Sequence, residues 1–448
     1  MEDLKQIMPK KLGFGCMRLP VANGNSEEID DAVFCRMIDR YMEQGFVYFD
    51  TAYPYHNQKS EEAVRRCLVE RYDRERFLLA DKMPVWLVQN TEDYSEIFER
   101  QLARCGVTYF DFYLLHAMNK TRVEETEKTG GFAFVQRMKT EGRIRHIGFS
   151  FHDTAEALEE ILKNHPEMEF VQLQINYYDW ESENVQSRKC YEVAKKYGVP
   201  VIVMEPVKGG TLANMTGRPA EILRELSPEA SFASYAIRYA ASLENVMLVL
   251  SGMSDEQQLT DNTAYMREFT PLDERERAAI ARVVEELAAM PTIACTKCRY
   301  CVEGCPQKIP IPDVFEDYNM TVQFGINETN RGSYRRHTAD GGSADVCIRC
   351  GKCINACPMH LLPIYMNVYG KQEDLDNAVD CGMMDCIECG SCAYVCPARI
   401  PLVAQFRLTK GKIQAKRAAE RAKAEAEKKK AEAEAAAKAE AEKPAENK

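Results

Sequence analysis

From residue 12 to about residue 250, short runs of β-branched and aromatic residues alternate with longer segments in which apolar positions recur at helical spacing. The runs are "LGFGCMRL" (12–19), "FVYFDTA" (46–52), "FLLADKM" (77–83), "YFDFYLLH" (109–116), "IRHIGFS" (144–150), "FVQLQIN" (170–176), "PVIVMEP" (200–206) and "NVMLVLSG" (245–252). Strands and helices in strict alternation predict a parallel α/β architecture. Eight such units in about 280 residues predict a (β/α)8 TIM barrel over residues 1–290. A Glu- and Ala-rich helix is predicted over 273–290, and Pro291 breaks its pattern.

Beyond that break the pattern changes character. "CTKCRYCVEGCP" (295–306), "CIRCGKCINACP" (347–358) and "CIECGSCAYVCP" (386–397) repeat one spacing, C-x2-C-x2-C-x3-C-P. That spacing brings three thiolates to one 4Fe-4S cube, while the fourth cysteine reaches a neighbouring cluster. Zinc sites more often use two separate C-x2-C pairs. Residues 291–410 therefore read as a mostly helical, ferredoxin-like iron-sulfur domain. The remainder, 411–448, is almost entirely Ala, Glu and Lys without an apolar stripe, a charged tail expected to be partly helical or disordered.

Composition narrows the function classes. The chain has 448 residues, is 45% hydrophobic and carries a formal net charge of −11, with no basic footprint of the kind nucleic-acid binding leaves. No apolar run approaches the roughly 20 residues that span a bilayer, and "MEDLKQIMPKKLGFG" lacks the apolar core of a signal peptide. A reducing, cytoplasmic setting is expected. There, clustered cysteines read as metal ligands rather than disulfides. Of the cysteines outside the three motifs, Cys16, Cys35, Cys67, Cys105 and Cys190 read as small buried hydrophobes.

In a barrel of this kind the active site forms at the C-terminal ends of the strands. Asp50 ends "VYFD", Tyr55 follows in the next loop, Lys82 ends "LLADK" and His116 ends "FYLLH". Four proton-active side chains at three consecutive strand mouths fit carbonyl reduction. Asp50 is expected to pair with Lys82 and hold it toward Tyr55, whose ordinary pKa near 10 a neighbouring ammonium lowers. Tyr55 then serves as the general acid, and His116 as a hydrogen-bond partner of the substrate oxygen.

These residues resemble the aldo-keto reductase superfamily: "GFGCMRLP", "FDTAYPY", "LADK", "YLLH", "GRIRHIGFSFH" and "LQINYY" follow that family's order, and its Asp-Tyr-Lys-His tetrad falls on Asp50, Tyr55, Lys82 and His116. The resemblance implies a small-molecule carbonyl or alcohol substrate and a nicotinamide cofactor bound without a Rossmann glycine motif; none is present. It implies that Ser150 and Gln174 hold the carboxamide and that Asp261 and Asn262 meet the adenosine. The chain departs from the family at Met204, where an aromatic residue often stacks on the nicotinamide, and at Phe151, where an asparagine is usual. Gly252 and Gln258 stand where basic residues usually meet a 2′-phosphate, so both NADH and NADPH remain open.

The first cysteine motif looks like the ferredoxin-like extension of one branch of that superfamily. Residues 346–420 resemble instead the C-terminal dicluster domain of the C subunit of the Rnf electron-transport complex. That resemblance implies one cluster on Cys347, Cys350, Cys353 and Cys396 and another on Cys386, Cys389, Cys392 and Cys357. The reductase-branch pattern would tie Cys295, Cys298 and Cys301 to Cys357, and Cys305 to the middle motif. The Rnf-like pairing is favoured, because the whole connecting segment follows it, and Cys305 or Cys381 then completes the first motif. Two or three 4Fe-4S clusters are expected.

Two functions are carried forward. One is an NAD(P)H-linked oxidoreductase whose clusters are structural or pass electrons to a partner protein. The other is an electron-transfer subunit docked at the inner face of the cell membrane on an Rnf-like redox complex, with the barrel as a binding module. Nicotinamide moves two electrons at once and a 4Fe-4S cluster one, a gap that flavin usually bridges, although no flavin motif is present.

Overall fold

Eight parallel strands hydrogen-bond in sequence order and close on themselves: Leu12–Gly15 (β1), Tyr48–Asp50 (β2), Leu78–Met83 (β3), Phe110–Met118 (β4), Ile144–Phe151 (β5), Phe170–Gln174 (β6), Val201–Met204 (β7) and Val246–Ser251 (β8), with β8 pairing back to β1. Each predicted run contains or overlaps one of them. This computed structural model describes residues 4–22, 28–290, 292–293, 302, 309–325, 328–339, 358–359, 361–395 and 400–420. The chain divides into two units, Met1–Pro291 with Gln323–Gly325, and Thr292–Val322 with Ile326–Lys448.

Side chains on a strand alternate between faces, so in a closed barrel every second residue points inward. Tyr48, Ala80, Phe112, Phe170, Ile202 and Leu248 form the inner packing, with Leu4 and Met8. Phe49, Leu79, Tyr113, Phe149, Val171, Val203 and Val249 face outward and bury against the helices. The Phe112 ring meets Tyr48 and Phe170 edge-on at 5.2 and 5.3 Å. Gly148 makes this possible: a Cβ there would lie 2.4 Å from the Phe170 carbonyl oxygen. Two residues further along each strand, the same alternation turns Asp50, Lys82, Ser150 and Gln172 inward, above the apolar plug.

The helices have ends that their sequences specify. Glu274–Ala289 starts at a capping box of Asp273 and Glu276, in the place predicted for a helix over 273–290. Among the described residues, no helix is long and apolar enough to cross a membrane.

Beyond the barrel, Ile311–Phe324, Glu328–His337, Pro363–Lys371 and Leu375–Asp380 are helical, as is 402–420. The boundary expected at 411 falls inside that last helix, and its first turns do carry an apolar stripe. Leu402, Phe406 and Ile413 recur at helical spacing and pack with Met366, Ala378 and Met383. Lys412 and Lys416 pair with Glu373 and Asp376 at 2.6 and 2.7 Å. Leu402 and Phe406 precede residue 411, and of the three only Ile413 belongs to the Ala/Glu/Lys-rich segment.

Candidate functional site

Lys82 is fully buried and donates three hydrogen bonds: to Asp50 Oδ1 at 2.5 Å, to the Thr51 carbonyl at 2.9 Å and to Tyr55 Oη at 3.1 Å. An ammonium has three N–H donors, so each has a partner here. Burial alone would strip the proton from Lys82, but attraction to Asp50 and Tyr55 outweighs it and raises the pKa above the ordinary lysine value. Burial also raises Asp50, against the pull of Lys82 and Gln172. Donors on both carboxylate oxygens, with Gln172 Nε2 at 3.2 Å from Oδ2, favour the charged pair. Gln172 was missed in the sequence, although it precedes Gln174 by two and so shares its face.

Tyr55 accepts from Lys82, which leaves its own O–H to donate outward. Its loop is fixed by Tyr55 N–H to the Ala52 carbonyl at 3.1 Å and Leu19 N–H to His56 Nε2 at 2.9 Å. The expected lowering of its pKa is corrected here: burial raises Tyr55 above 10.0, and Lys82 only opposes the rise. The sequence shows that a cation is near, but burial comes from the whole barrel mouth.

His116 lies at a break in β4, where the register shifts between Leu115 and Met118 and Ala117 takes φ 55°. Such bulges re-aim a side chain. The turned Ala117 N–H donates to Ser150 Oγ at 2.7 Å. The His116 ring packs edge-on to Tyr55 at 6.2 Å, and burial, with Lys82, His152 and Arg122 nearby, pushes it well below 6.5. It is therefore neutral near pH 7, with one nitrogen a donor and the other an acceptor.

Gln174 Nε2 donates to Asp179 Oδ2 at 3.3 Å, and Asn176 Nδ2 donates to the same oxygen at 2.9 Å. Lys208 Nζ lies 2.8 Å from both oxygens of this buried carboxylate. Asp179 and Lys208 were not picked out from the sequence, since a charged pair in a loop has no periodic signal. Asn176 Nδ2 also reaches the carbonyl of Glu205 at 3.2 Å, a residue held at φ 56°. Met204 ends β7, and Phe151 is buried in the outer core.

Asp261 and Asn262 lie on the Glu256–Met266 helix. Asp261 accepts from Ser231 at 2.6 Å. Asn262, 5% exposed, donates to Ser251 at 2.8 Å and accepts from Tyr265 at 2.6 Å, which ties the helix to the end of β8.

Of the twelve motif cysteines, Cys386, Cys389 and Cys392 are described. They line one recess with Met366, Val403 and Phe406. Glu388 and Gly390 turn the chain between them with φ 57° and 82°, and Glu388 N–H donates to Cys386 Sγ at 3.4 Å. Hydrogen bonding with Ser391 lowers the Cys389 pKa, favouring the thiolate that binds iron. Amide-to-sulfur bonds of this kind tune iron-sulfur clusters, and thiols are the donors a cluster takes, but among the described residues no three such side chains are drawn together as a metal site. Cys381 caps the Leu375–Asp380 helix beside the same core. Cys295, Cys298, Cys301, Cys305, Cys347, Cys350, Cys353, Cys357 and Cys396 lie outside the described residues, and with them both pairings.

A model described as the aldo/keto reductase family matches residues 11–285. Two models described as 4Fe-4S dicluster domains match 294–362 and 339–397, overlapping on the middle cysteine motif. An uncharacterized oxidoreductase of Schizosaccharomyces pombe is 26% identical over 297 residues, 62% of this chain and 91% of that one. The C subunit of the ion-translocating oxidoreductase complex of Rhodobacter capsulatus is 50% identical over 72 residues, 16% of this chain and 14% of that protein. Its counterpart in a proton-translocating ferredoxin:NAD(+) oxidoreductase complex of Clostridium ljungdahlii is 38% identical over 110 residues, 24% of each. The chain thus spans a small part of those two proteins. Among solved structures, a thermostable aldo-keto reductase in complex with the inhibitor epalrestat has TM-score 0.50 and 22% identity over 61% of this chain and 94% of that chain, a likeness of fold.

Proposed function

Because the chain belongs to the aldo/keto reductase family and carries 4Fe-4S dicluster domains, we propose that its barrel interconverts small-molecule carbonyls and alcohols with NAD(P)H. The observation that carries this reading is the three-way hydrogen bonding of Lys82 to Asp50, Thr51 and Tyr55. A bound dihydronicotinamide supplies hydride to the carbonyl carbon. Tyr55, with its oxygen held by Lys82, donates its proton to the carbonyl oxygen, and neutral His116 donates a second hydrogen bond to that oxygen. Lys82 stabilises the phenolate left behind.

The residues at the strand ends fit a carboxamide. Ser150 Oγ already accepts from Ala117, so its hydrogen is left for the amide oxygen. Gln174 gives its NH2 to Asp179, so Oε1 is left to accept from the amide nitrogen. Asp179 thus sets which way round Gln174 sits. Asp179→Asn is expected to raise KM for the nicotinamide cofactor about tenfold, the worth of one hydrogen bond to a charged group. Steady-state kinetics with the cofactor varied will measure it, and an unchanged KM would remove Asp179 from this role.

The pH dependence follows from the two shifted groups. Tyr55 keeps its proton until above 10.0, and His116 stays neutral down to well below 6.5. The kcat/KM profile for aldehyde reduction should be level from about pH 7 to 10 and fall only above that, as Tyr55 loses its proton. An alkaline limb centred below about pH 9 would contradict this environment for the acid.

A second reading is supported by the identity to proteins of ion-translocating complexes: clusters on the motif cysteines supply single-electron transfer to a partner at a membrane complex. Anaerobic protein given NADH or NADPH, with and without an aldehyde panel, separates the two. Cofactor oxidation that requires aldehyde, with no reduced-cluster EPR signal, supports the reductase with structural clusters. Cluster reduction without any carbonyl compound sinks that version and favours electron transfer, with a flavin as bridge if one co-purifies.

A further inference from the structure

We propose that Arg122 anchors a substrate carboxylate, so that the preferred substrates are oxo acids and aldehyde acids rather than neutral carbonyls; this rests on the reductase reading above. Three segments meet beside His116: the turn Val85–Leu87 after β3, the end of β4, and the helix Lys120–Thr129. Trp86 packs against the His116 ring at 5.1 Å and is 39% exposed, an apolar wall open on one side. The Arg122 guanidinium lies over the Trp86 ring at 5.2 Å. Its Nη1 donates to the Ala117 carbonyl at 2.7 Å, which holds the group at the turn that aims His116.

Two features separate this arginine from a structural one. A guanidinium has five N–H donors, and Nε and Nη2 of Arg122 have no partner among the described residues. It also forms no ion pair among them, whereas Glu205, an acid whose charge His152 feels alongside that of Arg122, is paired with Arg18 at 3.4 Å. An arginine stacked on an aromatic face with one edge fixed and the other open is preorganised for a bidentate carboxylate. Its charge is felt by His116 and His152, both pushed toward the neutral form chiefly by burial. The carbonyl group would sit between Tyr55 and His116, the carbon chain along Trp86, and the carboxylate on Nε and Nη2. Arg122 follows β4, across the closed barrel from β8 and the helix of Asp261 and Asn262, so the anchor serves the substrate rather than the adenosine end.

The test compares 4-oxobutanoate with butanal, which differ by the carboxylate, at saturating cofactor. The wild type should show the higher kcat/KM on 4-oxobutanoate. In Arg122→Gln the ratio of the two kcat/KM values should fall about 10- to 150-fold, mostly through KM for the anion, the range for a hydrogen bond to a charged group. Arg122→Lys should restore part of the ratio, since it keeps the charge without the fork. A loss shared equally by both aldehydes, as from a disturbed Ala117 turn, overturns the proposal, as does a wild type that prefers butanal. If the wild type reduces neither aldehyde, the reductase reading fails, and the anchor is then judged by calorimetry with succinate. Succinate binding lost in Arg122→Gln sustains the anchor, and no binding to the wild type overturns it.

Discussion

Replacing Tyr55 with phenylalanine is expected to lower kcat for aldehyde reduction about 10²- to 10⁴-fold, the usual contribution of a positioned general acid. The ring remains to fill its place beside His116, so what is lost is the proton and the acceptor for Lys82. Lys82 keeps its bonds to Asp50 and Thr51 and should stay where it is. The effect should therefore appear in kcat more than in KM for the cofactor. Its measurement is single-turnover reduction at fixed NADPH and NADH, with iron and sulfide content as a check that the cluster region is intact. A variant retaining more than about a tenth of wild-type kcat would mean that another group donates the proton.

Replacing Lys82 with methionine should cost the barrel about 3–5 kcal/mol, because it leaves the Asp50 carboxylate buried without its partner. The reference is a pair with side chains 0% and 3% exposed, joined at 2.5 Å, so solvent screens little of the attraction. The double variant Asp50→Asn with Lys82→Met removes both charges and should recover more than half of the loss. Denaturant unfolding of the barrel transition reads both numbers, and a single-variant loss under about 1 kcal/mol would show that the pair is not held as an ion pair. The sign with pH follows from the raised pKa of Lys82. Its contribution is complete below the unfolded value of 10.5 and is lost as pH rises through the higher folded value.

Much of the site was legible because strand and loop positions are local properties. Asp50, Lys82 and His116 each end an apolar run, and a strand end in a parallel barrel is a mouth position whatever the remaining packing does. The cysteine motifs were legible for the same reason, since their spacing is local, and the two 4Fe-4S dicluster models match over them. The residues missed are of another kind. Gln172 holds Asp50 across 122 positions of sequence, and Asp179 holds Gln174 and Lys208 from a loop without periodicity. Nothing in the neighbourhood of either residue along the chain announces its partner.

The sequence by itself determined eight strand-helix units in a barrel, the residues at the strand ends and the 4Fe-4S cysteine motifs, because hydrophobic period and motif spacing act over a few residues. Only the tertiary structure decided which strand faces turn inward, that a bulge in β4 aims His116 and frees Ala117 for Ser150, and that Arg122 lies on Trp86 with its other edge open. It also decided the direction of the Tyr55 pKa. Charge can be read along a chain, but the water removed from around a phenol is set by every element that surrounds it.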